Sequence, residues 1–165
     1  MQYMILTVQD KFKVDGETTL DSHDKGINIL SYNHGVSMPM ASDASANGRP
    51  TGRSNHMNFT LTKYLDKATP KLNEACVKGV NLGKVTLEVL RTGNATFTTI
   101  KYTLGDAYVT SVTVGGGGAG LPVETVNIQY TGIKWEYNVQ GEDGSNEGTV
   151  PANWNLETNK DDYSG

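Results

Sequence analysis

The chain has a single cysteine, Cys76, among 165 residues, so it can form no internal disulfide. Basic residues are also scarce: 14 Lys and Arg stand against 18 Asp and Glu, for a formal net charge of −4. A nucleic-acid surface needs a basic stripe or patch, and with this balance no nucleic-acid partner is expected. No run approaches the ~18 apolar residues that suggest a membrane-spanning helix, so no membrane insertion is expected. Residues 1–13, MQYMILTVQDKFK, have a short apolar part, no basic head and no small-residue cleavage site, which argues against a cleaved signal peptide. The expected location is the cytoplasm, with any export left to a dedicated machine.

Glycine is plentiful, with 19 residues, and only 19% of the chain is charged. Many short strands joined by tight turns produce that profile. One stretch stands apart, Thr69–Gly79, TPKLNEACVKG. Thr69 suits an N-cap, Pro70 suits the first helical position, and Gly79 suits a C-terminal stop. Leu72, Ala75 and Cys76 fall on one face at i, i+3, i+4 spacing, so a short helix over about 70–78 is expected, with Cys76 buried on its stripe.

Around this helix, strand follows strand. Gln2–Val8 alternates, with Tyr3 and Ile5 opposed to Met4, Leu6 and Val8. Gln9–Lys25 is polar and carries the turn signal Asp15-Gly16. Ile27–Val36 and Asn55–Tyr64 read as strands, the second with Met57, Phe59 and Leu61 opposed to Asn58, Thr60 and Thr62. Val85–Leu90 leads through the turn Arg91–Asn94 to Thr96–Leu104. Gly105-Asp106 reads as a further turn before Ala107–Val114, in which Val109, Ser111 and Thr113 share a face. The glycine-rich break 115–120 precedes strands at Pro122–Tyr130 and Ile133–Val139. The sum is about eight strands with short connections and no βαβ rhythm. This predicts a mainly β fold, an antiparallel barrel or sandwich of two packed sheets with one flanking helix. Residues 1–139 form a single domain in this reading, and 140–165 form a polar, partly ordered tail in which Trp154 and Leu156 serve as anchors.

A search for chemistry finds little. His23, His34 and His56 show no metal-ligand spacing, and Asp21, His23 and Asp24 read as a solvated turn before a metal site. Gly115, Gly116 and Gly117 open a glycine run with no following Lys-Ser/Thr and no following helix, so it reads as a hairpin tip and not a phosphate cradle. Asn58-Phe59-Thr60 and Asn94-Ala95-Thr96 match a glycosylation pattern that means little without a secretory leader. Trp135 and Tyr137, two apart on one strand, suit either a core or a sugar-binding face. No cofactor, no metal and no catalytic residue is expected, and the chain reads as a structural or binding protein. Ser37–Ser54, SMPMASDASANGRPTGRS, is the longest weakly patterned stretch and the first place to look for a partner contact.

Four segments in order, Asp21–Pro39, Gly48–Gly79, Val85–Gly93 and Leu121–Asn138, resemble the Hcp family, the haemolysin-coregulated proteins of bacterial type VI secretion. The ending WNLETNK at Trp154–Lys160 is similar to that family's C-terminus. Lys11–Asp15 lengthens the approach to the Gly16-Glu17-Thr18 turn relative to the family pattern. The resemblance implies a small β-barrel of two sheets with one helix, forming homohexameric rings that stack into a hollow tube. It further implies contacts with sheath and spike proteins, export on firing and effector cargo in the lumen. On that reading the candidate ring-stacking or subunit-contact loop carries Ser37, Met38, Pro39, Asp43, Asn47, Arg49, Pro50 and Arg53. Asp21, His23 and Asp24, with Gly115, Gly116 and Gly117, are the weaker loop candidates. Three alternatives stand beside it: a monomeric β-sandwich that binds carbohydrate, a phage-like tail tube protein, and an enzyme using Cys76 or the histidines.

Overall fold

The computed structural model describes residues 1–165 apart from Ala46 and Asn94, so the expected turn at Arg91–Asn94 and the glycosylation pattern at Asn94 reach outside the described residues. The described residues form twelve strands and one helix: β1 (Gln2–Gln9), β2 (Lys13–Val14), β3 (Ile27–Asn28), β4 (Ser31–Asn33), β5 (Val36–Ser37), β6 (Asn55–His56), β7 (Phe59–Tyr64), α1 (Thr69–Lys78), β8 (Gly83–Thr92), β9 (Thr96–Gly115), β10 (Val123–Gln129), β11 (Gly132–Gln140) and β12 (Asn146–Asn155). All pairings are antiparallel. The mainly antiparallel β fold with one short helix is therefore as expected.

β9 is the spine of the barrel. Gly105-Asp106 was expected to end one strand and start another, but twenty residues run through it without a hairpin. The first half pairs with β8 and β11, and the second half pairs with β10. β10 and β11 follow β9 around the same corner, where Thr131 N–H donates to the Gly105 carbonyl at 2.9 Å and Gly132 faces Gly105. Asp106 takes a positive φ of 46° at this bend. One long ribbon thus passes from one sheet to the other, and the two sheets share a continuous backbone ladder.

Adjacent residues close the far side. Ile29 N–H donates to Met4 O on β1 at 2.9 Å, while Leu30 N–H donates to Thr62 O on β7 at 2.7 Å. The expected single strand Ile27–Val36 is for this reason broken into β3, β4 and β5, because it must leave one sheet and join the other. Its neighbour, the loop 15–26, folds flat over Ile5, so Ile5 is buried although it points away from the barrel interior. Gly16 there is a point of close backbone approach: a Cβ on it would sit 2.1 Å from the Gly26 carbonyl oxygen.

Phe59, Leu61, Leu87, Leu104, Val126, Ile128 and Ile133 fill the interior, joined by Leu72 and Ala75 from α1. Each large aliphatic residue fully buried here stabilises the fold by about 1.5–3 kcal/mol. Ala68, not Thr69, stands at the N-cap, and α1 has no side-chain cap. The Thr69 hydroxyl turns inward instead and donates to Glu124 Oε1 at 3.2 Å. Gly79 ends the helix at φ 61°, with its N–H and that of Val80 bonded to Cys76 O and Ala75 O. Cys76 is half-buried against the core, a correction to its expected full burial.

The N-terminus of α1 is tied down by a buried ion network. Lys63 and Glu124 face each other across β7 and β10, both at 0% exposure, and Lys63 Nζ donates to Glu124 Oε1. The same Nζ donates to Asp66 Oδ1 and to Tyr64 O, each at 2.9 Å. Asp66 in turn accepts from Ala68 N–H at 3.0 Å. With Thr69 Oγ1 a longer fourth contact at 3.4 Å, the three ammonium N–H groups all meet acceptors, which a buried ammonium requires.

Residues 146–155, expected within a polar tail, form β12 and pair with β11 along their length. The chain then folds back: Leu156 N–H bonds Thr131 O at 2.8 Å, and the Tyr163 ring lies over Gly105 and Gly132.

Candidate functional site: a paired arm and an uncharged face

The long loop is a paired arm. Val36 faces His56 and Ser37 faces Asn55 in a two-stranded sheet. Farther out, Thr51 N–H bonds Pro39 O at 3.0 Å, Met40 bridges Pro50, and Ala41 N–H bonds Arg49 O at 2.6 Å. Ser37, Met38, Pro39, Asp43, Asn47, Arg49, Pro50 and Arg53 all lie on it and are all exposed. Asp43 accepts from the Ser45 N–H and hydroxyl at 2.9 and 2.7 Å, which fixes the outer bend and holds its carboxyl below the usual range. Val36, Met38 and Met40 present apolar side chains at alternate positions, 54%, 44% and 51% exposed. Met57, which alternation groups with Phe59 and Leu61, is exposed as well. Three of these apolar side chains lie on the arm and Met57 directly follows it, so together they form an exposed apolar patch.

The root of the arm rests on β11 and β12. An apolar groove there is lined by Val36, Met38, His56, Trp135 and Trp154, with Ser54 and Asn153 at its edge. Trp135 stacks near His56, at 6.5 Å between ring centroids, and lies 6.2 Å from His34. Trp135 is thus committed to the root of the arm, while Tyr137 is 49% exposed farther along β11. Burial holds both histidines below the free imidazole value, in His34 against the Met57 carbonyl and with the help of His56.

The second surface is the outer face of β4, β7, β10 and the second half of β9. Cross-strand register aligns Ser31, Thr62, Thr125 and Thr113 in one row, and Asn33, Thr60, Asn127 and Ser111 in the next. Thr60 Oγ1 donates to Asn127 Oδ1 at 2.6 Å, and Asn127 Nδ2 donates to Ser111 Oγ at 2.7 Å. Every position in both rows is a hydroxyl or an amide. Thr60 and Thr62 stand on the polar face that alternation predicted, but Asn58 lies outside the strand. Val109 does not share a face with Ser111 and Thr113: the register shifts opposite Asn127 and Ile128, so Val109 turns into the core. The opposite outer face, on β8, β9 and β11, is charged, with Glu88 3.9 Å from Lys101 and Lys134 3.1 Å from Glu136.

The weaker loop candidates divide. His23 reaches from its loop to Glu88 on β8, an engagement between distant segments, while Asp21 and Asp24 remain exposed. Gly115, Gly116 and Gly117 lie at the exposed β9–β10 hairpin, whose next residues include Leu121 at 66% exposure. Among the described residues no group of three or more His, Cys, Asp or Glu side chains is placed to hold a metal. Sequence reasoning missed the pairing within the arm, and no alternation in 37–54 announces it.

The site thus belongs to a mainly antiparallel β-barrel protein with an exposed apolar arm and a charge-free face. The family model described as the type VI secretion system effector Hcp matches residues 3–137. The chain belongs to the Hcp family. It is 30% identical over 146 residues to the major exported protein of Pseudomonas aeruginosa, covering 83% of each chain. Protein hcp1 of the same organism is 32% identical over 110 residues, 64% of this chain and 67% of that one. Among solved structures, one of a type six secretion system protein superposes with a TM-score of 0.89 at 30% identity, covering 97% of this chain and 99% of that one. Hcp1 from Salmonella typhimurium gives 0.77 at 26% identity, covering 96% and 97%.

Proposed function

We propose that this chain is the inner tube subunit of a type VI secretion machine. It closes head-to-tail into homohexameric rings, the rings stack into a hollow tube, and the tube leaves the cell on firing. The observation that carries this reading is the arm, a paired element that projects an exposed apolar row, Val36, Met38 and Met40. A head-to-tail ring needs one protruding surface and a different receiving surface on each subunit, and it closes only when the rotation per subunit divides the circle.

The uncharged rows on β4, β7, β10 and β9 are assigned to the lumen in this proposal. A wall of hydroxyls and amides already bonded to one another offers cargo polar contacts without a fixed charge to trap it. The charged outer face then meets the sheath, and the ring faces meet the spike and neighbouring rings. The chain has no catalytic role in this reading, and effector cargo is carried and not modified.

Negative-stain electron microscopy beside size-exclusion chromatography with light scattering tests the proposal on the purified chain. Closed six-fold rings are the expected result. A strictly monomeric species across a wide concentration range would overturn it, and glycan binding would then be measured at the groove between Val36 and Trp154.

A further inference from the structure

Two histidines sit at the root of the arm, one on each side of it. His34 immediately precedes the Gly35–Val36 entry, and His56 ends the return strand β6. His34 stacks on Phe59 at 5.1 Å and meets Tyr130 and Tyr102 edge-on at 5.8 and 6.2 Å. His56 meets the other side of the cluster, Tyr130 at 6.3 Å and Trp135 at 6.5 Å. Each ring has one nitrogen in use: His34 Nδ1 lies 3.3 Å from the Tyr130 hydroxyl, and His56 Nε2 lies 2.9 Å from Ser54 Oγ. The other nitrogen of each, His34 Nε2 and His56 Nδ1, is buried without a hydrogen-bond partner among the described residues. A neutral imidazole tolerates one bare acceptor nitrogen in an apolar shell. An imidazolium there adds a buried N–H with no acceptor and a charge with no counter-ion, and both costs are large.

We propose that His34 and His56 form a proton-sensitive anchor for the arm: with both rings neutral the arm stays docked on the Trp135–Trp154 shelf, and protonation releases it.

The surroundings contain nothing to stabilise the cation by charge. The ionisable groups that face the pair are phenols, Tyr32, Tyr102 and Tyr130, and burial pushes the last two up so that they stay protonated. Lys63 on β7 is sealed against Glu124 and Asp66. On β9, Lys101 lies near Glu88 and Asp106 near Lys11, while Lys134 and Glu136 on β11 alternate away from Trp135 and pair with each other. Glu147 on β12 lies against Gly141, and Asp43, Arg49 and Arg53 are exposed farther out on the arm. Burial therefore decides the sign. Both imidazoles bind protons less readily docked than free, so the released arm takes up protons on acidification and is favoured as pH falls below about 6.5. Above that value both forms are neutral and docking is at full strength.

The anchor stands on this cluster alone; its consequence, loss of ring contacts made by the arm in acid, rests on the tube reading above. Trp135 and Trp154 are the only two tryptophans in the chain and both line the groove under the arm, so their emission reports its docking. The experiment follows tryptophan emission and hydrogen exchange of 36–57 in the full chain from about pH 7.5 to about pH 5, with exchange corrected for intrinsic rate. A reversible red shift is expected, with exchange rising about tenfold for each unit by which the docked pKa lies below the free one. The variant His34→Phe/His56→Phe is expected to show a flat profile. No change in the wild-type chain, or the same change in the variant, would overturn the anchor. Should the variant fail to fold, NMR titration of the wild-type histidines replaces it: His34 and His56 titrating with the emission midpoint supports the anchor, and a midpoint in the carboxylate range refutes it. Light scattering at neutral pH separates the two readings. Rings with pH-independent emission sink the anchor alone, and a monomer with pH-dependent emission sinks the tube alone.

Discussion

The Tyr163 ring occupies the space a side chain at Gly105 would need: a β-carbon there would lie 2.5 Å from Tyr163 Cε2. The corner where β9 changes sheets thus has no side chain of its own, and the C-terminal segment supplies the cover. Gly132, opposite Gly105 in the register, lies equally close beneath the same ring.

Gly105→Ala is expected to displace Tyr163 and to cost about 1–3 kcal/mol, the range for overpacking a filled site. Tyr163→Ala leaves that space open, so Gly105→Ala added in its background should cost much less than alone. Urea unfolding of the four chains forms the cycle. Simple additivity would mean that the ring does not close this corner.

Lys63→Met leaves Glu124 and Asp66 without their cation and is expected to destabilise by about 3–5 kcal/mol. The double change Lys63→Met/Glu124→Leu removes both fully buried charges and should recover most of that loss. Thermal melts with matched denaturant curves measure both. A neutral single variant would show that the network does little to hold α1.

Asn127→Ala takes away the acceptor of the Thr60 hydroxyl and the donor to Ser111 together. Two half-exposed hydrogen bonds at about 0.5–1.5 kcal/mol each set the expected loss, reduced where water replaces the amide. Thr125→Trp on the neighbouring row addresses the lumen assignment. Rings should still close, with a narrower stain-filled centre in class averages. Loss of the rings would place this face at a subunit contact instead.

Met38→Glu/Met40→Glu puts two charges on the exposed row of the arm. The monomer should melt as before, since neither residue is in the core, while rings or stacks disappear in light scattering. Unchanged assembly would remove the arm from the contact surface.

Much of the fold is legible in the sequence because its signals are local. Pro70 and Gly79 bracket α1 with one-residue precision at the end, alternation identifies β1, β7 and β8, and Pro122–Tyr130 is recognised as the strand that holds β10. The errors all arise where a distant segment decides. Gly105-Asp106 carries a genuine turn signal, yet β8 pairs on both sides of it, Val85 with Leu104 and Gly83 with Ala107, and holds the chain in one strand. The bulge opposite Asn127 and Ile128 rotates Val109 inward, a slip that alternation cannot register because it assumes an unbroken period of two. Thr69 has the chemistry of an N-cap, but a buried Glu124 across the sheet takes its hydroxyl. Of the candidate surfaces, the arm was found by its lack of pattern, whereas the uncharged rows needed the cross-strand register to appear at all.

The sequence by itself determined that this is a β-rich chain with one short helix, a single cysteine and a formal net charge of −4, and its ordered segments pointed to the Hcp family. Those features follow from backbone propensity, side-chain period and charge count, which act within a few residues. Tertiary structure alone decided that β9 serves both sheets, that 146–155 is a strand, and that His34 and His56 share one aromatic cluster beneath the arm. Those depend on pairing and burial between residues tens of positions apart, where the hydrogen-bond ladder and the desolvation of a side chain are set by whichever segment closes over it.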